Sequence, residues 1–167
     1  MTLKEYIKIV FPILKEAHKN RKTKPITKSP LNYIATTIFY GLLEIDEFNS
    51  NVQVSKMAQE VYNNIENNDK PDLRNLQWID QSKYDPKREL FILEHIYTGK
   101  MFKNALDNII EEELTEEKVI EIIRKNYQAA WITRGENKDL NKSIRGENLD
   151  NALKHYNDME IELNNKQ

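Results

Sequence analysis

LFILEHIYTG, residues 90–99, decides how this chain has to be read. It is the most apolar extended run in the sequence, rich in β-formers, and suits a buried strand from about Arg88 to Tyr97. Inside it Glu94 and His95 stand side by side, followed by Thr98 and Gly99. An ionised carboxylate taken out of water costs several kcal/mol unless it is paired or holds a cation. A partner for the Glu94–His95 pair is therefore expected nearby.

Downstream the period changes to that of a helix. Met101, Phe102, Ala105, Leu106, Ile109 and Ile110 form one stripe, and Thr115 caps a second helix with Glu116 and Glu117 in its first turn. Residues 128–133, QAAWIT, read as another strand. Gly135 to Lys142 reads as a short polar helix, and Leu149 to Leu163 as a last one. Upstream, Thr2 and Glu5 make a capping box for a helix that ends near Lys19. Ser29-Pro30 opens a second helix, and Ser55 caps a third. The polar tract from Asn63 to Lys70 closes this part, and Gln77 to Ile79 reads as a short strand. The expected fold is α+β and predominantly helical. A helical region, 1–70, precedes a strand-strand-helix core, 71–167, with a helical hairpin inserted between its strands and a C-terminal helix after it, all in one compact unit.

Composition narrows the chemistry. The 25 Lys and Arg against 27 Asp and Glu leave a net charge of −2, so contact with nucleic acid has to come from a local patch. Such a patch is offered by HKNRKTKPITKS, residues 18–29, where Lys19, Arg21, Lys22, Lys24 and Lys28 occur without an acid. With no cysteine there are no disulfides, thiolate nucleophiles or cysteine-zinc sites. No apolar run is long enough to span a membrane, and the first residues offer no cleavage signal, so a cytoplasmic protein without membrane contact is expected.

The order of elements, a strand with Glu94-His95, a helical insertion, a strand with AWIT, then a helix with GENKDL, resembles the ββα-metal, HNH-like nuclease superfamily over about residues 88–145. The resemblance implies a strand histidine, matched by His95, facing one metal ion together with a residue of the following helix, matched by Asn137. The acidic neighbour of the histidine is matched by Glu94. It further implies a metal-dependent endonuclease acting on DNA, of the restriction or phage-defence kind; a homodimer is compatible with such an enzyme.

The chemistry is coherent on its own terms. Phosphodiester hydrolysis needs an activated water, a cation on the phosphate oxygens and positive charge for the developing transition state. His95 can act as general base, Glu94 and Asn137 are hard oxygen ligands suited to Mg²⁺ or Mn²⁺, and Arg134 and Arg145 can reach the scissile phosphate. There is one geometric condition. Successive strand residues point to opposite faces, so Glu94 and His95 share a metal only if the strand ends or bulges between them. In a straight strand His95 stays and Glu94 drops out.

Other assignments compete. His95 alone reads as a hydrogen-bonded core residue, and Glu94 as the partner of Arg88 or Arg124. Glu136 and Arg134 are surface residues by default, Trp78 and Trp131 belong to the core, and His18 and His155 receive no role. The motif RGEN occurs at 134–137 and again at 145–148; the first copy is preferred because a strand precedes it. TGKM at 98–101 lacks the upstream glycine and the hydroxyl of a P-loop. Two further functions stand beside the nuclease: a non-enzymatic interaction or inhibitor protein from a mobile element, and a helical DNA-binding module.

Overall fold

The computed structural model describes residues 1–21, 30–49, 52–66, 69–141 and 146–164. The fold is predominantly helical α+β with a four-stranded mixed sheet. In chain order the elements are α1 (Leu3–Lys19), α2 (Pro30–Gly41), α3 (Asp46–Asn49), β1 (Gln53–Ser55), α4 (Lys56–Asn63), β2 (Phe91–His95), α5 (Gly99–Asp107), α6 (Glu116–Asn126), β3 (Ala129–Thr133), α7 (Arg134–Leu140), α8 (Leu149–Asp158) and β4 (Leu163–Asn164). The chain partitions differently from a cut at residue 70. One compact unit joins Met1–Glu47 to Tyr97–Tyr127, and the other joins Phe48–Ile96 to Gln128–Gln167.

The first unit is helical. Thr2 and Glu5 form the expected capping box, and Leu3, Ile7 and Leu14 turn one side of α1 into a core. Phe39 of α2 anchors an aromatic cluster, with ring centroids 5.9 Å from Tyr97, 6.0 Å from Phe102 and 5.3 Å from Tyr127. Gly41 is required where Tyr6 crosses α2, because a Cβ there would overlap the phenol, which itself donates to the carbonyl of Ile38 at 2.9 Å. His18, given no role by its sequence context, is fully buried. Its Nδ1 accepts from Arg21 at 3.1 Å and its Nε2 meets the Leu106 carbonyl at 2.9 Å. Both contacts are met together only by the neutral imidazole with its proton on Nε2.

The second unit holds the sheet, in the order β2-β3-β1-β4. β2 runs antiparallel to β3, β1 parallel to it, and β4 antiparallel to β1. Every residue of β3 is buried, as a continuous apolar run in a central strand demands. Trp131, fully buried, stacks on Trp78 at 6.2 Å and donates to the Leu76 carbonyl at 3.3 Å. Ser55 caps α4 as expected, but three residues of strand precede it. Two readings are corrected. Gln77 to Ile79 is not a strand: Trp78–Lys83 is a 3₁₀ helix closed by the Asp80 amide on the Gln77 carbonyl. The last helix stops at Asp158; Glu160 adopts φ 58°, and the chain returns as β4.

Candidate functional site

β2 is regular through His95. Each residue from Phe91 to His95 faces one from Thr133 to Ala129, and the Ile96 amide continues the ladder onto the Gln128 carbonyl at 3.0 Å. The bulge that a shared metal would need is absent from this stretch. His95 therefore lies with Phe91 and Leu93, and Glu94 with Ile92 on the opposite face. α7 follows directly on β3, and its Glu136 takes hydrogen bonds from both faces of the sheet: Ser55 lies on one and Thr133, opposite Phe91, on the other. Val54 and Leu93 both sit opposite Trp131, so alternation puts Ser55 on the face of Ile92 and Glu94. The Ser55 hydroxyl donates to Glu136 of α7 at 2.8 Å. The His95 side is marked instead by Tyr62, whose ring meets Phe91 edge-on at 6.0 Å. Moreover α7 begins beside Phe91, four positions along the ladder from His95, or about 13 Å.

Glu94 and His95 thus do not share one face of β2. Burial pushes the His95 imidazole down to about 4, which leaves it neutral at pH 7 and a poor general base. Asn137 is half-buried on α7, and its Oδ1 accepts from Asn141 at 3.4 Å. Arg134 is exposed, and its Nε donates to the Arg88 carbonyl at 3.0 Å. Arg145 lies outside the described residues. Among the described residues no group of three or more His, Asp or Glu is arranged to hold a metal. The two RGEN copies differ locally. The first opens α7; in the second, Gly146 takes φ 86° and Asn148 caps α8.

Two acids that sequence reasoning passed over are structural. Glu136 is buried, not a surface residue, and its Oε2 accepts from Ser55 and from the Thr133 amide and hydroxyl at 2.7 and 2.9 Å. The Thr133-x-x-Glu136 spacing is itself the signal of that capping box. Asp85, also buried, accepts from the amides of Glu89, Leu90 and Phe91 and from Gln81 Nε2. It fixes the turn that launches β2.

Of the five basic residues expected to form a patch, Lys19 and Arg21 lie among the described residues. Lys22, Lys24 and Lys28 lie outside the described residues. Arg21 folds back onto α1, its Nη1 donating to the His18 carbonyl at 2.8 Å and to the ring. Lys19 is exposed and joins lysines from earlier in the helix. At 100° per residue, Lys8, Lys15 and Lys19 fall about 40°, 20° and 60° from Lys4, a row about 22 Å long. Lys4 shares a groove with Glu116, Glu117 and Glu121. Lys8, Lys15 and Lys19 meet no carboxylate among the described residues.

Beside this row runs an apolar band. Ile9 and Ile13 of α1 are 67% and 59% exposed, and Tyr33 and Tyr40 of α2 are 70% and 60% exposed. Between the helices is a groove of about 590 Å³ lined by Pro12, Ile13, Ala17, Pro30 and Ile34, with Glu16 and Asn20 at its edge. Ile9 is one turn before Ile13 on α1, and Tyr33 and Tyr40, seven positions apart, share one stripe of α2. No helix among the described residues is long and apolar enough to cross a membrane. No protein family, no curated protein and no solved structure matches the chain.

Proposed function

We propose that this is a non-enzymatic interaction protein that docks an amphipathic helical segment of another protein on the α1–α2 face. The carrying observation is the exposed band of Ile9, Ile13, Tyr33 and Tyr40 around an apolar groove. Apolar surface of this kind on a water-facing helix pair is costly to expose and marks an interaction site. A groove between two helices suits a helix read through anchors at i, i+3, i+4 and i+7.

The lysine row states the charge of the partner. Lys8, Lys15 and Lys19 flank the band on one side, so the docked helix carries acids along the corresponding edge. A second copy of this chain does not supply them: an antiparallel pairing of two α1 helices would set lysine against lysine. Duplex DNA would meet the lysines, but Ile9, Ile13 and Tyr33 offer nothing to a phosphate backbone. A hydrolase reading is less well supported, because His95 and Glu94 point to opposite faces of a regular β2.

The test is a fluorescence anisotropy titration with two synthetic helices of about 16 residues, long enough to hold helical structure. Both have a leucine seam; one has glutamates along one flank, the other lysines. The acidic helix binds, and binding is lost in Ile13→Asp and weakened by about tenfold in the double variant Lys8→Glu, Lys15→Glu. Both substitutions are at exposed positions and leave the fold intact. Binding of neither helix, binding indifferent to Ile13→Asp, or adsorption to anionic lipid vesicles in place of the helix would contradict the proposal. Plasmid DNA incubated with Mg²⁺, Mn²⁺ or EDTA is expected to show no metal-dependent cleavage; nicking that EDTA abolishes would restore the nuclease.

A further inference from the structure

We propose that Arg88 and Arg134, on the second unit, form a binding site for a small ligand carrying a phosphate dianion. The site stands apart from the α1–α2 face and does not depend on it. It rests on the way the turn from Asp85 to Leu90 is built.

Arg88 has φ 51°, in the left-handed region that disfavours any residue with a Cβ. The turn imposes this. The Arg88 amide donates to the Asp85 carbonyl at 2.8 Å while the Asp85 carboxylate takes the next three amides. Glycine or asparagine would sit there more easily, so an arginine at this position points to a use for its side chain. That side chain is held in place. The guanidinium lies 4.6 Å from the Trp78 ring centroid, and Trp78 in turn stacks on the buried Trp131. A guanidinium lying over an indole keeps its N–H edge free for an acceptor in its own plane.

Arg134 is brought to the same turn by two bonds. Its backbone amide donates to the Leu90 carbonyl at 2.9 Å, and its Nε to the Arg88 carbonyl at 3.0 Å. With Nε engaged, the two terminal nitrogens remain as a fork of the kind that grips two oxygens of one oxyanion. Neither guanidinium meets a carboxylate among the described residues, and Lys87 beside them is exposed. Of the acids close by in sequence, Asp80 pairs with Lys83 at 2.7 Å and Asp85 is committed to amides; Glu89 is exposed. Two positive charges fixed at one turn without a counter-charge match a ligand with two negative ones.

The chemistry favours a phosphate monoester or free phosphate over nucleic acid. Single-stranded nucleic acid uses free aromatic faces for its bases, and here the Trp78 ring already carries Arg88 and stacks on Trp131. Ile79 and Leu90, 68% and 42% exposed, are available instead to a compact apolar group next to the phosphate.

Isothermal titration with inorganic phosphate, phenyl phosphate and a single-stranded oligonucleotide of about ten bases separates these sources. Phosphate and phenyl phosphate give saturable heats and perturb Trp78 fluorescence, with phenyl phosphate the tighter if the apolar flank is used. Arg134→Gln and Arg88→Asn each weaken binding by about tenfold or more. Asparagine tolerates the left-handed backbone, so an unchanged melting temperature for Arg88→Asn shows that the loss is not one of folding. Heats that never saturate up to tens of millimolar, affinity that survives both substitutions, or binding of the oligonucleotide alone would overturn the proposal.

Discussion

The two units differ in where their buried carboxylates and their exposed helix-borne isoleucines and tyrosines lie. In the second unit the polar groups are inside: Glu136, Asp85 and Gln81 are buried and spend their hydrogen bonds on backbone amides, hydroxyls and each other. In the first, apolar groups are outside, with Ile9, Ile13, Tyr33 and Tyr40 facing solvent next to a lysine row. A buried carboxylate satisfied by local donors is explained by folding alone, whereas exposed isoleucines on a helix are not. The comparison moves the functional question away from the acids and the histidine of the sheet and onto α1 and α2.

Substitutions can break this contrast from either side. The largest effect is expected from Asp85→Ala, which strands three backbone amides and leaves Gln81 Nε2 with the Phe91 carbonyl alone; it should cost roughly 3–5 kcal/mol in urea denaturation. A loss below about 1 kcal/mol would mean that water serves those amides equally well. Next is the pH dependence contributed by His95. Burial holds its folded pKa at about 4 against 6.5 for an unperturbed histidine, so the unfolded chain takes up the proton first. This contribution is complete above about pH 6.5 and is lost as pH falls toward 4, by up to about 3 kcal/mol. Comparing denaturation of the wild type and His95→Asn at neutral and acid pH isolates it; parallel profiles would show that the imidazole is well solvated.

Glu136→Ala should cost about 2–3 kcal/mol, because it removes the carboxylate half of the α7 capping box and leaves the buried Ser55 hydroxyl without its acceptor. Full stability in that variant would reopen Glu136 as a functional acid. The smallest effect on stability sharpens the contrast most. Ile9→Asp and Ile13→Asp should lie within about 0.5 kcal/mol of wild type, as expected for surface positions, and should improve solubility. A drop of several kcal/mol would show that these side chains serve the core after all.

Much of the fold was legible in the sequence where local chemistry sets it. Thr2 with Glu5, Pro30, Ser55 and Thr115 mark helix starts because a cap is a short-range hydrogen bond between residues a few positions apart. β1 was not legible. Gln53–Ser55 is three residues long and becomes a strand only by pairing with β3, more than seventy positions later. Gln77 to Ile79 misled because tryptophan and isoleucine favour strands, while the Gln77 carbonyl instead closes a tight turn. β4 was read as the tail of a helix for the same reason in reverse, since its two residues carry no period at all.

The site was less legible than the fold. The alternation of Glu94 and His95 could be stated in advance, but not that β2 would stay regular, which depends on its register with β3. The lysine row was hidden because the charges were counted along residues 18–29 rather than around α1. Exposure of Ile9 and Ile13 was equally hidden, since an apolar stripe on a helix predicts burial until the neighbouring helices are known.

Hydrogen exchange of the full chain with and without the glutamate-flanked helix tests the central claim most directly. The α1–α2 face predicts slowed exchange in Leu3–Lys19 and Pro30–Gly41, and no change across Phe91–His95 and Ala129–Leu140. Protection confined to those sheet and α7 segments, with α1 and α2 unaltered, would contradict it.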